Sequence, residues 1–137
     1  MDIQVNTGLQ KFNLGGKVVV EFNPTDMAFA EKIYKTFEEL DKKQQEYKDR
    51  IPTLEDEQIF EFGREIDGEM RTAINNLFGI DVMTPLIGDM NVYALADGLP
   101  IWANIILAVM DTMEVQITDE QKKSQARINK YTKKYHK

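Results

Sequence analysis

Apolar residues alternate with polar ones near the N-terminus, then recur every three or four positions through most of the remaining chain. Phe12 and Leu14 interleave with Lys11 and Asn13, and Val18, Val20 and Phe22 interleave with Val19 and Glu21, the period of two expected of strands. Gly15-Gly16 between the two runs marks a turn, predicting a β-hairpin over about 9–22. Loop length fixes which side chains share a face. A two-residue loop pairs Phe12 with Val19 and Leu14 with Lys17, scattering the apolar residues over both faces. A three-residue loop, Gly15-Gly16-Lys17, sets Leu14 against Val18 and Phe12 against Val20 on one face, and is preferred because a one-residue slip turns every side chain over.

The helical period begins after Asn23-Pro24-Thr25-Asp26. Asn23 suits the N-cap, Pro24 the first helical position and Asp26 the first turn, predicting a helix over about 24–50. Its apolar stripe is Ala30, Ile33, Tyr34, Phe37, Leu40, Tyr47 and Ile51, with Glu31, Lys35, Glu38, Lys42 and Glu46 opposite; Pro52 ends it. Thr53 reads as the cap of a second helix over about 54–78, with acids at 55–57 and a stripe of Ile59, Phe62, Ile66, Met70, Ala73, Ile74 and Leu77. Gly79 closes it. Gly63 and Gly68 inside this span permit close packing of another element, or Gly68 kinks the helix; the pattern leaves both open.

Residues 80–99, punctuated by Pro85, Gly88 and Gly98, predict one or two short helical turns. A strongly apolar helix over about 100–117 follows, with Trp102, Ile105, Ile106, Val109, Met113 and Ile117 on one side. A last helix over about 119–135 carries Ser124, Ile128, Tyr131 and Tyr135 in a thin stripe among lysines. Phe37, Ile66, Trp102, Ile106 and Val109 are the expected centre of one core. The expected fold is mainly α, a small helical bundle with an N-terminal β-hairpin, in a single domain spanning 1–137.

With 137 residues and 42% apolar content, the chain can bury a core without a staple. It has no cysteine, which excludes disulfides and thiolate sites and fits a reducing compartment; a cytoplasmic location is expected. The run Ile101–Met110 covers about 15 Å as a helix, half of a bilayer core, so no membrane partner is expected.

Charge is divided unevenly. Residues 1–120 hold 10 Lys/Arg against all 23 Asp/Glu, while residues 121–137 hold 7 Lys/Arg and no acid. An acidic body argues against nucleic acid as a partner. The basic end suits an acidic surface, including that of another copy, so a homo-oligomer is expected. Lys122, Lys123, Arg127, Ile128, Lys130, Tyr131 and Tyr135 are the candidate partner-binding residues; the alternative is a solvated helix tail.

Catalytic candidates are few. The one histidine, His136, is next to last in the chain, without a second group to orient it, and Ser124 has no histidine within reach. Glu61, Glu65 and Glu69 fall on one helix face, which describes a solvated face better than a cation cage drawing ligands from several directions. No catalytic, metal or cofactor site is expected, and the chain reads as a non-enzyme.

The order of these segments resembles the small tail assembly chaperones of long-tailed phages, or prophages, of Gram-positive bacteria. The resemblance rests on Val18-Val19-Val20-Glu21-Phe22-Asn23-Pro24-Thr25-Asp26 after a hairpin, then a long charged helix, then Ile74-Asn75-Asn76-Leu77-Phe78-Gly79, Pro85-Leu86-Ile87-Gly88-Asp89 and the closing Lys130-Tyr131-Thr132-Lys133-Lys134-Tyr135. It covers most of the chain and consists of structural punctuation, not chemistry. The resemblance implies a protein that coats the tape measure protein and keeps it soluble until the tail tube polymerises around it. In many such systems a ribosomal slip near the end of the reading frame adds a minor longer product, and Lys133-Lys134 is a dipeptide that an A-rich slip site encodes. The alternatives are a structural tail subunit, such as a tube or completion protein, and a non-viral helical adaptor.

Overall fold

The computed structural model describes residues 1–135, with side chains to residue 130. Four α-helices and two small antiparallel ladders follow the order β1 (Gln10–Leu14), β2 (Val18–Phe22), α1 (Met27–Arg50), α2 (Asp56–Phe78), α3 (Met83–Ile87), β3 (Leu95–Ala96), β4 (Leu99–Pro100) and α4 (Ile101–Tyr135). The fold is mainly α with a minor β component.

The hairpin takes the three-residue loop, with Leu14 opposite Val18 and Phe12 opposite Val20. Gly15 and Gly16 both have positive φ, and a Cβ on Gly15 would lie 2.6 Å from the Leu86 side chain, so the turn sits directly on α3. The inner face of the ribbon is secured by aromatic rings. Phe12 stacks on Phe22 at 4.6 Å, Phe22 on Phe29 of α1 at 4.5 Å, and Phe29 meets Phe78 at the end of α2 at 6.3 Å. A lone ribbon is marginal in water; this one is held by helix contacts.

Both long helices begin later than their punctuation suggests. The α1 cap is Asp26, whose carboxylate accepts the Ala28 amide at 2.9 Å. Asn23 is drawn elsewhere: its Oδ1 accepts the Thr25 amide at 2.8 Å and its Nδ2 donates to the Thr7 carbonyl at 2.9 Å. The helix therefore spans 27–50, not 24–50. Likewise α2 starts at Asp56, not 54. Ile51–Thr53 forms a 3-10 turn, the Thr53 hydroxyl donates back to the Arg50 carbonyl at 2.6 Å, and Glu55 caps instead, its amide donating to the Gln58 side chain at 3.1 Å. At the other end Gly79 adopts the left-handed conformation and its N–H closes on the Asn75 carbonyl at 2.8 Å.

Between α2 and α4 the chain makes one short helix and one unexpected two-residue ladder. Asn75 Oδ1 accepts the amides of Val82 and Met83, and Asp81 accepts that of Thr84, fixing the start of α3. The bonds from the Thr84 hydroxyl and amide hold the Asp81 carboxyl below its ordinary pKa. The β3–β4 turn is Asp97-Gly98, both at positive φ. That dipeptide between Leu95 and Leu99 is a hairpin signal in its own right.

The largest departure is at the C-terminal end. Two helices, 100–117 and 119–135, are expected there; α4 is one helix of 35 residues, about 52 Å long. Thr118 does not cap a new start, because its hydroxyl back-bonds to the Glu114 carbonyl at 3.1 Å, and no Gly or Pro interrupts the ladder.

The core joins Ile33 and Leu40 of α1, Ile66, Met70, Ile74 and Leu77 of α2, and Trp102, Ile105, Ile106, Val109 and Met113 of α4, closed by Val20, Phe22, Val82, Met83 and Val92. Phe37 packs against this cluster while half-buried, its ring meeting Trp102 edge-on at 5.3 Å. Three apolar positions on the expected stripes face solvent: Tyr34 is 64% exposed, Ile117 39% and Ile128 54%. Tyr34 and Ile117 both line a groove between α1 and α4.

Candidate functional site

The polar clusters resolve into structural roles. Arg71 and Asp67, one turn apart on α2, pair at 2.9 Å and reach outward together: Arg71 donates to the carbonyls of Gly88, at 2.6 Å, and Met90, while Asp67 accepts the Val92 amide at 2.7 Å. They clamp the loop after α3. Of the acidic row on α2, Glu61 and Glu65 are exposed and Glu69 pairs with Lys43 at 3.1 Å. Glu65 and Glu69 line a groove of about 720 Å³ between α1 and α2 in which Lys32, Lys35 and Lys43 balance Glu39, Glu65 and Glu69, so it offers no net charge to an ion. Among the described residues no group of three or more His, Cys, Asp or Glu is placed to hold a metal ion. Ser124 is exposed on α4; His136 lies outside the described residues.

Gly63 is explained by close packing. A Cβ there would meet the Tyr93 hydroxyl at 2.7 Å, and that hydroxyl donates to the Gly63 carbonyl at 2.8 Å. The Tyr93 ring stacks on Tyr47 at 4.3 Å, bringing the loop onto both long helices. Burial is the main cause that pushes the Tyr93 phenol up to about 12, with Tyr47 and Asp67 adding to it. Gly68 has open space around its Cα and sits within an unbroken helix.

Three surfaces remain that have the character of binding sites. The first is a cleft of about 860 Å³ where the hairpin turn, α3, the β3–β4 ladder and the start of α4 converge. Leu14, Leu86, Met90, Leu95, Ile101 and Ile105 line it, and Lys17 is its one titratable residue. Met90 and Leu95 are 53% and 72% exposed. The second is a narrower apolar groove of about 440 Å³ between α1 and α4, with Tyr34, Leu107, Met110 and Ile117 in its walls and Asp111 and Glu114 at its rim. The third is the free end of α4. Lys122, Lys123, Arg127, Ile128 and Lys130 are all exposed there; the side chains of Tyr131 and Tyr135 lie outside the described residues. An extended arm before β1 adds exposed Ile3, Val5 and Leu9.

No protein family, curated protein or solved structure matches this chain. Among the described residues no helix is long and apolar enough to cross a membrane.

The basic end was legible from composition, whereas neither cleft was. The first depends on residues about seventy positions apart meeting, which no local period reveals.

Proposed function

We propose that this protein is a non-catalytic binding protein of the tail assembly chaperone type, holding the apolar ridge of a long helical tape measure protein in the host cytoplasm until tail tube subunits replace it. The observation that carries this reading is the cleft between the hairpin turn, α3 and α4. It is broad, lined by aliphatic side chains from three separate segments, and has one cation and no carboxylate. An amphipathic helix laid in such a groove buries its i, i+3, i+4 ridge against aliphatic side chains without burying a carboxylate of the cleft. Small binders acting in many copies can cover a long apolar partner through individually weak contacts and be displaced in turn. No cofactor enters this scheme.

Co-expression with the long coiled-coil protein encoded beside it, followed by a pull-down, tests the reading. The partner should be soluble and captured with this chain. The double substitution Met90→Asp, Leu95→Asp should return it to the insoluble fraction while the circular dichroism of the chain stays unchanged. Capture unaffected by both substitutions removes the cleft as the site; no capture by the native chain removes the reading.

A structural tail subunit is the second reading, favoured by the extended arm with Ile3 and Val5 exposed on alternate positions beside an open ribbon edge. Finding the chain at stoichiometric levels in purified virions decides for it.

A further inference from the structure

We propose that two copies of this chain pair by exchanging the basic ends of α4, each lying antiparallel in the α1–α4 groove of the other about a two-fold axis near residue 119. The inference stands apart from the chaperone reading and uses a different surface. Its first observation is azimuth. Met110 in the groove and Ile128 on the free end are eighteen residues apart on one unbroken helix, which is five full turns at 3.6 residues per turn, so both face the same way. They are 38% and 54% exposed.

Reach decides which copy the free end can fill. α4 has no break beyond Met113, and Ile128 stands about 16 Å along the axis past Ile117, the far end of the groove. A straight helix cannot fold back on itself, so this apolar face is closed to its own groove and open to that of a neighbour. Antiparallel pairing sets Met110 of each copy against Ile128 of the other and places Ile117 near the axis. Such an interface is self-complementary, the usual form of a homodimer.

Charge favours the same occupant. The groove is bordered by Asp111 and Glu114 on α4, and Glu38 and Asp41 follow Tyr34 at helical spacing on α1. None of these four acids is in an ion pair among the described residues. The free end surrounds Ile128 with Lys122, Lys123, Arg127 and Lys130 and has no acid from 121 onward. Of these, only Lys123 is paired among the described residues, at 3.7 Å to exposed Glu120. An acid-bordered apolar groove and a basic apolar helix on one chain are matched surfaces.

The absence of cysteine from the chain permits a clean test. A disulfide needs Cα atoms within about 7 Å. In the exchanged dimer Met110 lies beside Ile128 of the second copy but about 27 Å along the axis from its own equivalent. Met110→Cys and Ile128→Cys, oxidised separately, should stay uncrosslinked; mixed in equal amounts they should give a covalent dimer, several-fold less in molar salt. Both positions are exposed, and the fluorescence of Trp102 reports that each variant is folded. In sedimentation equilibrium, Ile128→Asp should weaken association of the native chain at least tenfold. A native chain that sediments as a monomer at low salt and high concentration overturns the proposal. So does a mixture that fails to crosslink, or Ile128→Cys alone crosslinking as fast as the mixture.

Discussion

The indole N–H of Trp102 donates to the side-chain carbonyl oxygen of Gln44, tying the first turn of α4 to the third quarter of α1 inside the core. Gln44 is the one buried polar side chain among the described residues, and this bond is what permits its burial. Gln44→Ala leaves the indole donor without a partner and should cost about 1–3 kcal/mol. Trp102→Ala removes the ring as well and should cost about 3–5 kcal/mol. Urea unfolding monitored by circular dichroism checks both. Equal stability in Trp102→Ala and the native chain contradicts the central place of α4.

Two glycines in α2 should respond with opposite signs to the same substitution. Gly68→Ala enters open space and should gain up to about 1 kcal/mol from helix propensity. Gly63→Ala drives a Cβ into the Tyr93 hydroxyl, which the stacked Tyr47 ring keeps from retreating. Overpacking of about 1–3 kcal/mol should outweigh the same propensity gain. Melting temperatures of the two variants decide the matter, and a rise in both would show that Tyr93 yields freely.

The loop after α3 should loosen when its clamp is cut. Arg71→Leu removes the charged donor from the carbonyls of Gly88 and Met90 and leaves Asp67 holding the Val92 amide alone. Hydrogen bonds to charged groups are each worth about 1.5–3 kcal/mol. Amide exchange from 88 to 94 should accelerate well beyond that in α2, and uniform acceleration across the chain would mean that the clamp supports the whole fold.

Tyr93 predicts a loss of stability in alkali. Its phenol is pushed up to about 12, above the value of an unfolded tyrosine, so the folded state keeps a proton that the unfolded state gives up. That contribution is fully present below the unfolded pKa near 10 and is lost as pH rises through about 12. Stability of the native chain should therefore fall more steeply over this interval than that of Tyr93→Phe. Parallel curves would disprove the assignment.

Particular residues explain which features could be read along the chain. The Phe12–Val20 and Leu14–Val18 register was legible because only one slip puts every apolar side chain on one face. The helix starts were misread by two or three residues because Asn23, Thr25, Asp26, Thr53 and Glu55 all have capping chemistry, and the choice among them is made by distant partners such as Thr7. From Thr118-Asp119 onward the sequence turns from apolar to charged, and such a change ends burial without ending a helix. Composition likewise exposed the basic end, while the clefts arise from packing between remote segments.

One hydrogen-bonded ladder runs from Trp102 in the core to Ile128 in solvent, so the body has no swivel at the point where the helix leaves it. A glycine or proline there would let the body turn freely about whatever holds the far end. This rod fixes its heading instead. Copies anchored along a filament by their helix ends would all present the same side, and one residue inserted between Met113 and Ile128 would swing each body by about 100° without altering either surface.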